Sequence, residues 1–239
     1  MRKFTLWLVA VVMLFISSVS AGAEGNELEM KKIDSDIFIT GKSVKMKVNE
    51  NGFMNEMVYV KEGRPLKFIN HIFITGGKKY FNTPGAFEGT TKKLDLKSQT
   101  LEVSGEIPGQ NTGGAPSKFI QTISIVPEGI RIYYKQDCGG AMPVYCTVWL
   151  YLPTYLGEYF SVDGEDYSFP ASKEEKFGVS KQMKEIVLSK KTDRTVKILL
   201  KVVAGAGIGD YNGGSGDLYW VNIYAKDGEI DFILVPPME

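Results

Sequence analysis

The chain has 239 residues with 28 basic and 28 acidic side chains, so its formal net charge at neutral pH is zero. A balanced charge without a basic stripe argues against a nucleic-acid partner, because phosphate backbones are bound by clustered lysine and arginine. With one histidine and two cysteines, a Cys/His zinc site is excluded in practice once the cysteines pair, and we predict no metal and no cofactor.

The first 23 residues have the three parts of a secretory signal peptide. Two basic residues open the chain, an apolar run follows from Leu6 to Ile16, and small residues continue to Ala23. The apolar run is too short to cross a bilayer, which takes about 20 apolar residues. We expect cleavage before Glu24, with cleavage after Ala21 as the alternative, and export to the periplasm or the cell exterior. The competing interpretation is an uncleaved membrane anchor.

Removing this leader leaves residues 24–239, which we interpret as a single domain. The leader takes two basic residues with it, leaving 26 basic and 28 acidic side chains. No later segment reaches membrane-spanning length, so we expect no membrane span in the mature chain. The clearest loop, 105–117, has similar segments on both sides, which favours one domain over two.

Short alternating runs separated by turn residues occur along the mature chain, starting at Val44, Met46 and Val48, which alternate with lysines. Such runs are typical of strands joined by tight turns. By these criteria we expect roughly 14 to 17 strands and an all-β fold, a large antiparallel β-sandwich. The turn signals are Asn51-Gly52, Pro127-Glu128-Gly129, Asp163-Gly164 and Asp227-Gly228.

One segment allows a helix. Residues 172–175 (SKEE) fit a capping box, and Val179, Met183, Ile186 and Val187 have helical spacing. A short helix between Ser172 and Val187 and a strand interpretation are balanced, so we expect at most one short helix in the fold.

The two cysteines, Cys138 and Cys146, are separated by seven residues. In an exported protein such a pair is expected to form a disulfide, with two free thiols as the alternative. Both lie at the tip of an apparent hairpin, IRIYYKQD–CGGAMPVYC–TVWLYL. If they face each other across it, paired residue numbers sum to 284, so that Ile132 pairs with Leu152.

In this register Tyr133 lies beside Tyr151, and Lys135 beside Trp149, on the face opposite the cysteines. A face that mixes flat rings with polar groups has what a sugar site needs, so we predict that these four residues bind ligand. The alternative is a second packing surface in a strand that is buried on both sides.

The glycine-rich segment 205–216 follows a strand-like run. One interpretation is a long loop between antiparallel strands. The functional interpretation is a loop at the rim of a binding cleft, with Asp210, Tyr211 and Asn212 as contact residues. The strand after it, DLYWVNIYA, is apolar on both faces, so the sequence does not tell which face is core.

We predict no catalytic residue. His71 lies in an apolar run without the context of a Ser-His-Asp triad, and we interpret it as structural. The carboxylates Glu158, Asp163, Glu165 and Asp166 cluster near an Asp-Gly turn, where acidic residues are usually turn formers. A glycosidase pair would need a geometry that sequence cannot test.

Two segments resemble a known family. VKMKVNENGFMNEMVYVKEGRPLKF looks like the opening hairpins of galactose-mutarotase-like supersandwich domains, and IRIYYKQ…VWLYLPTYLGEYFSVDG is similar to their central strands. The resemblance spans Ile37 to Val235 and implies an all-β sandwich with a concave, sugar-facing sheet. The family's epimerases use histidines with a glutamate, and this chain has one histidine, so mutarotase chemistry is not implied.

The sequence therefore predicts an exported protein that binds glycan without catalysis. Two alternatives stay open: a glycan-processing enzyme, either a glycoside hydrolase or a polysaccharide lyase, and a structural protein of surface assembly that uses exposed strands.

Overall fold

The computed structural model describes residues 28–52, 54–59, 64–76, 79–82, 87–108, 116–137, 144–150, 159–168, 178–188, 195–210 and 219–237. For 54–59, 64–76, 79–82, 144–150, 209–210 and 219–220 the description covers the backbone only.

These residues form nineteen strands and no helix. The first nine are β1 (Glu29–Ile33), β2 (Asp36–Thr40), β3 (Val44–Val48), β4 (Met54–Tyr59), β5 (Arg64–Gly76), β6 (Lys79–Asn82), β7 (Thr91–Asp95), β8 (Thr100–Ile107) and β9 (Ser117–Val126). The others are β10 (Gly129–Gln136), β11 (Val144–Leu150), β12 (Tyr159–Val162), β13 (Glu165–Ser168), β14 (Gly178–Lys181), β15 (Glu185–Leu188), β16 (Val196–Val202), β17 (Gly205–Asp210), β18 (Tyr219–Tyr224) and β19 (Glu229–Val235).

Two antiparallel sheets contain all of these strands. The ten-stranded sheet has the order β1-β2-β3-β4-β5-β11-β18-β17-β14, with β6 also paired to β5. The nine-stranded sheet has the order β13-β12-β15-β16-β19-β10-β9-β8-β7. The predicted all-β sandwich is confirmed.

Alternation of side chains explains the strands. In β3, Val44, Met46 and Val48 are buried, whereas Lys45 is exposed and Lys47 is half-buried. The turn after β3 is where Asn51-Gly52 predicted it, and Gly52 has the positive φ of 76° that glycine adopts most readily.

The core lies between the sheets and draws on both. Ile39 and Met46 of the ten-stranded sheet belong to the same buried cluster as Ile132 and Phe232 of the nine-stranded sheet, and all four are fully buried. Each contributes about 1.5–3 kcal/mol of hydrophobic stabilisation relative to an exposed side chain. Strand residues whose side chains point into this core cannot contact a ligand.

The predicted hairpin between β10 and β11 is wrong. β10 pairs with β9 and β19, so that Ile132 lies opposite Ile123 and Phe232. β11 pairs with β5 and β18 in the other sheet. The chain therefore passes from one sheet to the other between β10 and β11. A sandwich needs such crossings, because its core lies between two separate sheets.

The Asp227-Gly228 turn also connects strands of different sheets. It is tight, since Lys226 and Glu229 exchange backbone hydrogen bonds of 2.9 Å in both directions, and Asp227 and Gly228 have positive φ values. The strands it joins, β18 and β19, nevertheless belong to different sheets. The turn was predicted correctly, but beyond the bridge between Lys226 and Glu229 it does not pair β18 with β19.

Of the two interpretations left open for residues 172–187, a short helix or strands, the structure has strands where it describes this segment. Val179 lies in β14, and Ile186 and Val187 lie in β15. Ile186 pairs with Val162 and Ile198, so its backbone is used by the sheet and the local helical spacing is overridden. Residues 172–177 lie outside the described residues. The described residues include no helix long and apolar enough to cross a membrane.

Candidate functional site

Strand β18 tells which side of the ten-stranded sheet faces outward. Val221 and Ile223 are buried in the core, whereas Asn222 and Tyr224 are half-buried. Because successive residues of a strand lie on opposite faces, Asn222 and Tyr224 belong to the face that points away from the core. This decides a question that the sequence left open.

Backbone register extends this face over four neighbouring strands, β5, β11, β18 and β17. Directly paired residues of adjacent strands share a face. Three rows of four positions result: Ile69–Trp149–Trp220–Gly209, His71–Thr147–Asn222–Gly207 and Phe73–Tyr145–Tyr224–Gly205. We call these twelve positions the central face. With strands about 4.8 Å apart and rows about 6.7 Å apart, it measures about 14 by 13 Å.

The composition of the central face suits a flat, hydroxylated ligand. It has aromatic residues at five of its positions, together with an asparagine, a threonine and the only histidine of the chain. None of the twelve residues is Asp, Glu, Lys or Arg. Rings can stack on the C–H faces of a sugar, and amides and hydroxyls can bond to its hydroxyl groups.

Strand β17 contributes only glycines to this face. Gly205 and Gly207 do not have positive φ, so their backbone conformation does not require glycine. A Cβ on Gly207 would lie 3.5 Å from Ser180, and one on Gly205 would lie 3.4 Å from the carbonyl oxygen of Lys181, both ordinary contacts. Neither backbone nor packing demands glycine at Gly205 and Gly207, and both residues are buried.

His71 is the residue whose position sequence reasoning missed. It was interpreted as structural because it lies between apolar residues. In the register it occupies the middle row, opposite Thr147, which in turn lies opposite Asn222. The alternation in FINHIFIT groups His71 with Ile69 and Phe73, but alternation alone does not tell which group faces the core.

Tyr133 and Lys135 lie on a different surface from Trp149. Their neighbours in β10, Ile132 and Tyr134, are buried in the core, so Tyr133 and Lys135 are on the outer face of the nine-stranded sheet. The predicted shared face of these two residues with Trp149 is wrong. The physical reason is the crossover between β10 and β11, which puts the two strands on opposite sides of the core.

Ion pairs occupy the surroundings of Tyr133. Arg131 donates two hydrogen bonds to the nearly buried carboxylate of Asp231, at 2.9 and 2.6 Å, and these bonds raise the pKa of Arg131. The guanidinium carbon lies 5.7 Å from the centre of the Tyr133 ring. Lys135 lies 3.6 Å from Glu229. The charged side chains around Tyr133 are thus paired with each other, which is typical of an ordinary outer sheet surface.

The other predicted contact residues are only partly described. Asp210 ends β17 and pairs with Tyr219, so it lies on the opposite face of the strand from Gly209. Tyr151, Tyr211 and Asn212 lie outside the described residues.

The predicted disulfide has one partner outside the described residues, Cys138. Cys146 lies in β11, in register with Ile72 and with the buried Ile223. No disulfide is seen in the part of the chain that the structure describes.

Two of the clustered carboxylates have structural partners. Asp163, at φ 50°, accepts hydrogen bonds from the backbone N–H groups of Lys184 and Glu185 at 2.8 and 2.9 Å. Glu165 lies 3.1 Å from Lys181, so this ion pair joins β13 and β14, one strand from each sheet. Hydrogen bonds from the Tyr167 hydroxyl and from Lys181 lower the pKa of Glu165. Glu158 lies outside the described residues, and the described ones contain no cluster of three metal-ligating side chains.

Comparisons with known proteins bear on the fold. No family model matches the sequence, and no curated protein matches it significantly. Among solved structures, a galactose mutarotase-like protein from Lactobacillus casei superposes with a TM-score of 0.55 and 8% identity, over 84% of this chain and 99% of that one. A galactose mutarotase related enzyme from Lactobacillus acidophilus gives 0.58 and 9%, over 84% and 97%. A 4-alpha-glucanotransferase from Thermococcus litoralis gives 0.52 and 10%, over 90% of this chain and 40% of that one.

These similarities extend over most of the chain at identities of 10% or less, so they concern its architecture. The sandwich of two large antiparallel sheets agrees with what the sequence resemblance implied. The protein has the galactose-mutarotase-like β-sandwich fold.

Proposed function

We propose that the protein binds a glycan on the central face of the ten-stranded sheet. The observation that carries this proposal is the backbone register, in which aromatic and uncharged polar residues alternate by row across β5, β11 and β18. The names of the structurally similar proteins refer to sugars, which adds support at the level of ligand class.

The absence of fixed charge on the central face favours an uncharged glycan over a uronate or a sulfated sugar. Each hydrogen bond to a sugar replaces one to water and contributes about 0.5–1.5 kcal/mol. Ring stacking therefore supplies a large part of the affinity, and the row of Trp149 and Trp220 offers the widest platform.

Binding without catalysis is the version we favour. None of the twelve positions carries a carboxylate, whereas glycoside hydrolysis ordinarily uses two. The one observation on the side of a glycan-processing enzyme is His71 in the middle row, because imidazole transfers protons near neutral pH. A reducing-end release assay on any glycan that binds separates the two.

The test is a glycan-array screen of the wild-type protein followed by titration of three variants. We expect Trp149→Ala and Tyr224→Ala to weaken binding at least tenfold, about 1.4 kcal/mol. Tyr133→Ala is the matched control, because it removes a ring from the outer face of the other sheet, and we expect unchanged affinity.

Two results would contradict the proposal. One is a Tyr133→Ala variant that loses binding as strongly as Trp149→Ala. The other is a Trp149→Ala variant that binds normally but melts at a much lower temperature, because truncating a buried tryptophan costs about 3–5 kcal/mol.

We also propose that the protein is exported, on the basis of its first 23 residues. Mass spectrometry of periplasmic or secreted material should find an N-terminus at Glu24 or Gly22. Full-length chain recovered from the cytosol with Met1 in place would contradict this.

A disulfide between Cys138 and Cys146 is the third proposal. Because β10 and β11 lie in different sheets, the bond would fasten the connection between sheets. Closing so short a loop stabilises by about 2–3 kcal/mol in the chain-entropy model. Titration of the unfolded, unreduced protein should find no free thiol, and two free thiols would refute the pairing.

A further inference from the structure

The side chain of Gln99, in the turn between β7 and β8, is bonded to the edge of the other sheet. Its Oε1 accepts a hydrogen bond from the backbone N–H of Met30 in β1. Its Nε2 donates to the carbonyl of Met30 at 3.3 Å and to that of Leu96 at 2.6 Å. A carboxamide has the same donor and acceptor as a peptide group. The Gln99 side chain therefore satisfies the backbone N–H and C=O of Met30 as a residue of a neighbouring strand would.

Strand β1 is an edge strand within the described residues, where it pairs with β2 alone. Both backbone polar groups of Met30 are engaged by Gln99, so they point away from β2. Unpaired groups of this kind are a template for another strand, and proteins commonly cover them. Gln99 covers the middle of β1.

The turn between β7 and β8 is held by hydrogen bonds other than those of the Gln99 side chain. Gln99 has φ 54°, in the left-handed region where glycine and asparagine are favoured. The turn is already held by the Asp95 carboxylate, which accepts from the N–H groups of Lys97 and Ser98 at 2.9 and 3.3 Å. Within the turn the Gln99 side chain also donates to the Leu96 carbonyl, and its contacts beyond the turn are the two with Met30.

The charges of β1 indicate what would pair with it. Glu29 and Lys31 lie on one face of the strand, 2.7 Å apart. If a second copy of β1 pairs antiparallel with Met30 opposite Met30, then Glu29 of each copy lies opposite Lys31 of the other. Shifting by two residues puts Lys31 opposite Lys31 or Glu29 opposite Glu29, which is unfavourable. One register is complementary.

We propose that the Gln99 side chain prevents β1 from pairing with β1 of a second copy of this chain. Without that side chain, two copies pair through β1 in the register that places Met30 opposite Met30. The partner is the same chain, selected by the Glu29–Lys31 complementarity. In the resulting dimer the ten-stranded sheets of the two copies join at β1 into one continuous sheet.

The test measures molar mass by light scattering as the protein concentration is raised. The wild-type chain should remain a monomer, and Gln99→Gly should double its mass. Glycine suits the left-handed backbone, so the variant is expected to fold. Gln99→Asn is the second variant, because asparagine also suits this backbone but is one methylene too short to reach Met30.

Charge variants test the register in the Gln99→Gly background. Adding Lys31→Glu should return the chain to a monomer, and adding Glu29→Lys to that variant should restore the dimer. A wild-type dimer, a monomeric Gln99→Gly and Gln99→Asn, or a dimer that ignores Lys31→Glu would each overturn the proposal. Association with a different stoichiometry would do the same.

Discussion

Replacing Tyr134 by phenylalanine tests the buried polar network at the end of β10. Tyr134 is 1% exposed, and its hydroxyl lies 3.0 Å from Gln136 Oε1. The Gln136 amide donates to Ser117 Oγ at 3.0 Å, and Ser117 donates to the carbonyl of Asp137. The change removes one oxygen and leaves the acceptor on Gln136 without this donor.

The expected cost follows from the burial of Gln136, which is 3% exposed. A buried acceptor that loses its partner costs about 1–3 kcal/mol, more than the net value of a typical hydrogen bond. For a chain of this size, each kcal/mol lowers the melting temperature by about 2–4 °C.

Urea denaturation of Tyr134→Phe, Tyr133→Phe, Gln136→Met and the double variant of Tyr134→Phe with Gln136→Met measures this cost. Tyr133→Phe is the control, because Tyr133 lies on the outer face and its change should cost less than about 0.5 kcal/mol. In a Gln136→Met background, Tyr134→Phe should cost less than it does in the wild type, since the Gln136 acceptor is no longer there to lose its donor. Equal costs for Tyr133→Phe and Tyr134→Phe, or a full cost in the Gln136→Met background, would refute the reasoning.

Two further predictions concern ion pairs. Arg131→Met should lower the free energy of unfolding by about 1–3 kcal/mol, because it leaves the nearly buried Asp231 carboxylate unpaired; a variant as stable as the wild type in urea would contradict this. Glu165 should titrate below its usual pKa of 4.5 in NMR, owing to Tyr167 and then Lys181. A lowered folded pKa contributes stability above the unfolded pKa that is lost as pH falls through the folded one. Lys181→Met should raise the pKa of Glu165, and an unchanged value would count against the pair.

Local chemistry made several elements predictable. Alternation at Val44, Met46 and Val48 predicted β3, and the Asp163-Gly164 turn joins β12 to β13 as a true hairpin, with both residues at positive φ. Side-chain period and turn residues act over a few positions, so they can be read without knowing the fold. The choice between helix and strand at Ile186 stayed open for the complementary reason, because the pairing of Ile186 with Ile198 lies outside any local window of sequence.

The candidate site was half predictable. Trp149 was identified from its ring and its polar surroundings, and the central face contains it. Its predicted companions, Tyr133 and Lys135, were assigned through an assumed hairpin. His71 and Asn222 were not identified, because they lie 78 positions before and 73 positions after Trp149 and come near it only through strand pairing.

By itself, then, the sequence determined that this chain is built of many short strands in a sandwich, since two-residue alternation and turn-forming dipeptides are local properties. Only the tertiary structure decided which strands are neighbours and which apolar face is core. A hairpin and a crossing between sheets can have the same local pattern, as β10 to β11 and β18 to β19 both show. The choice between them depends on burying two whole sheets against each other, a free energy that no single segment contains.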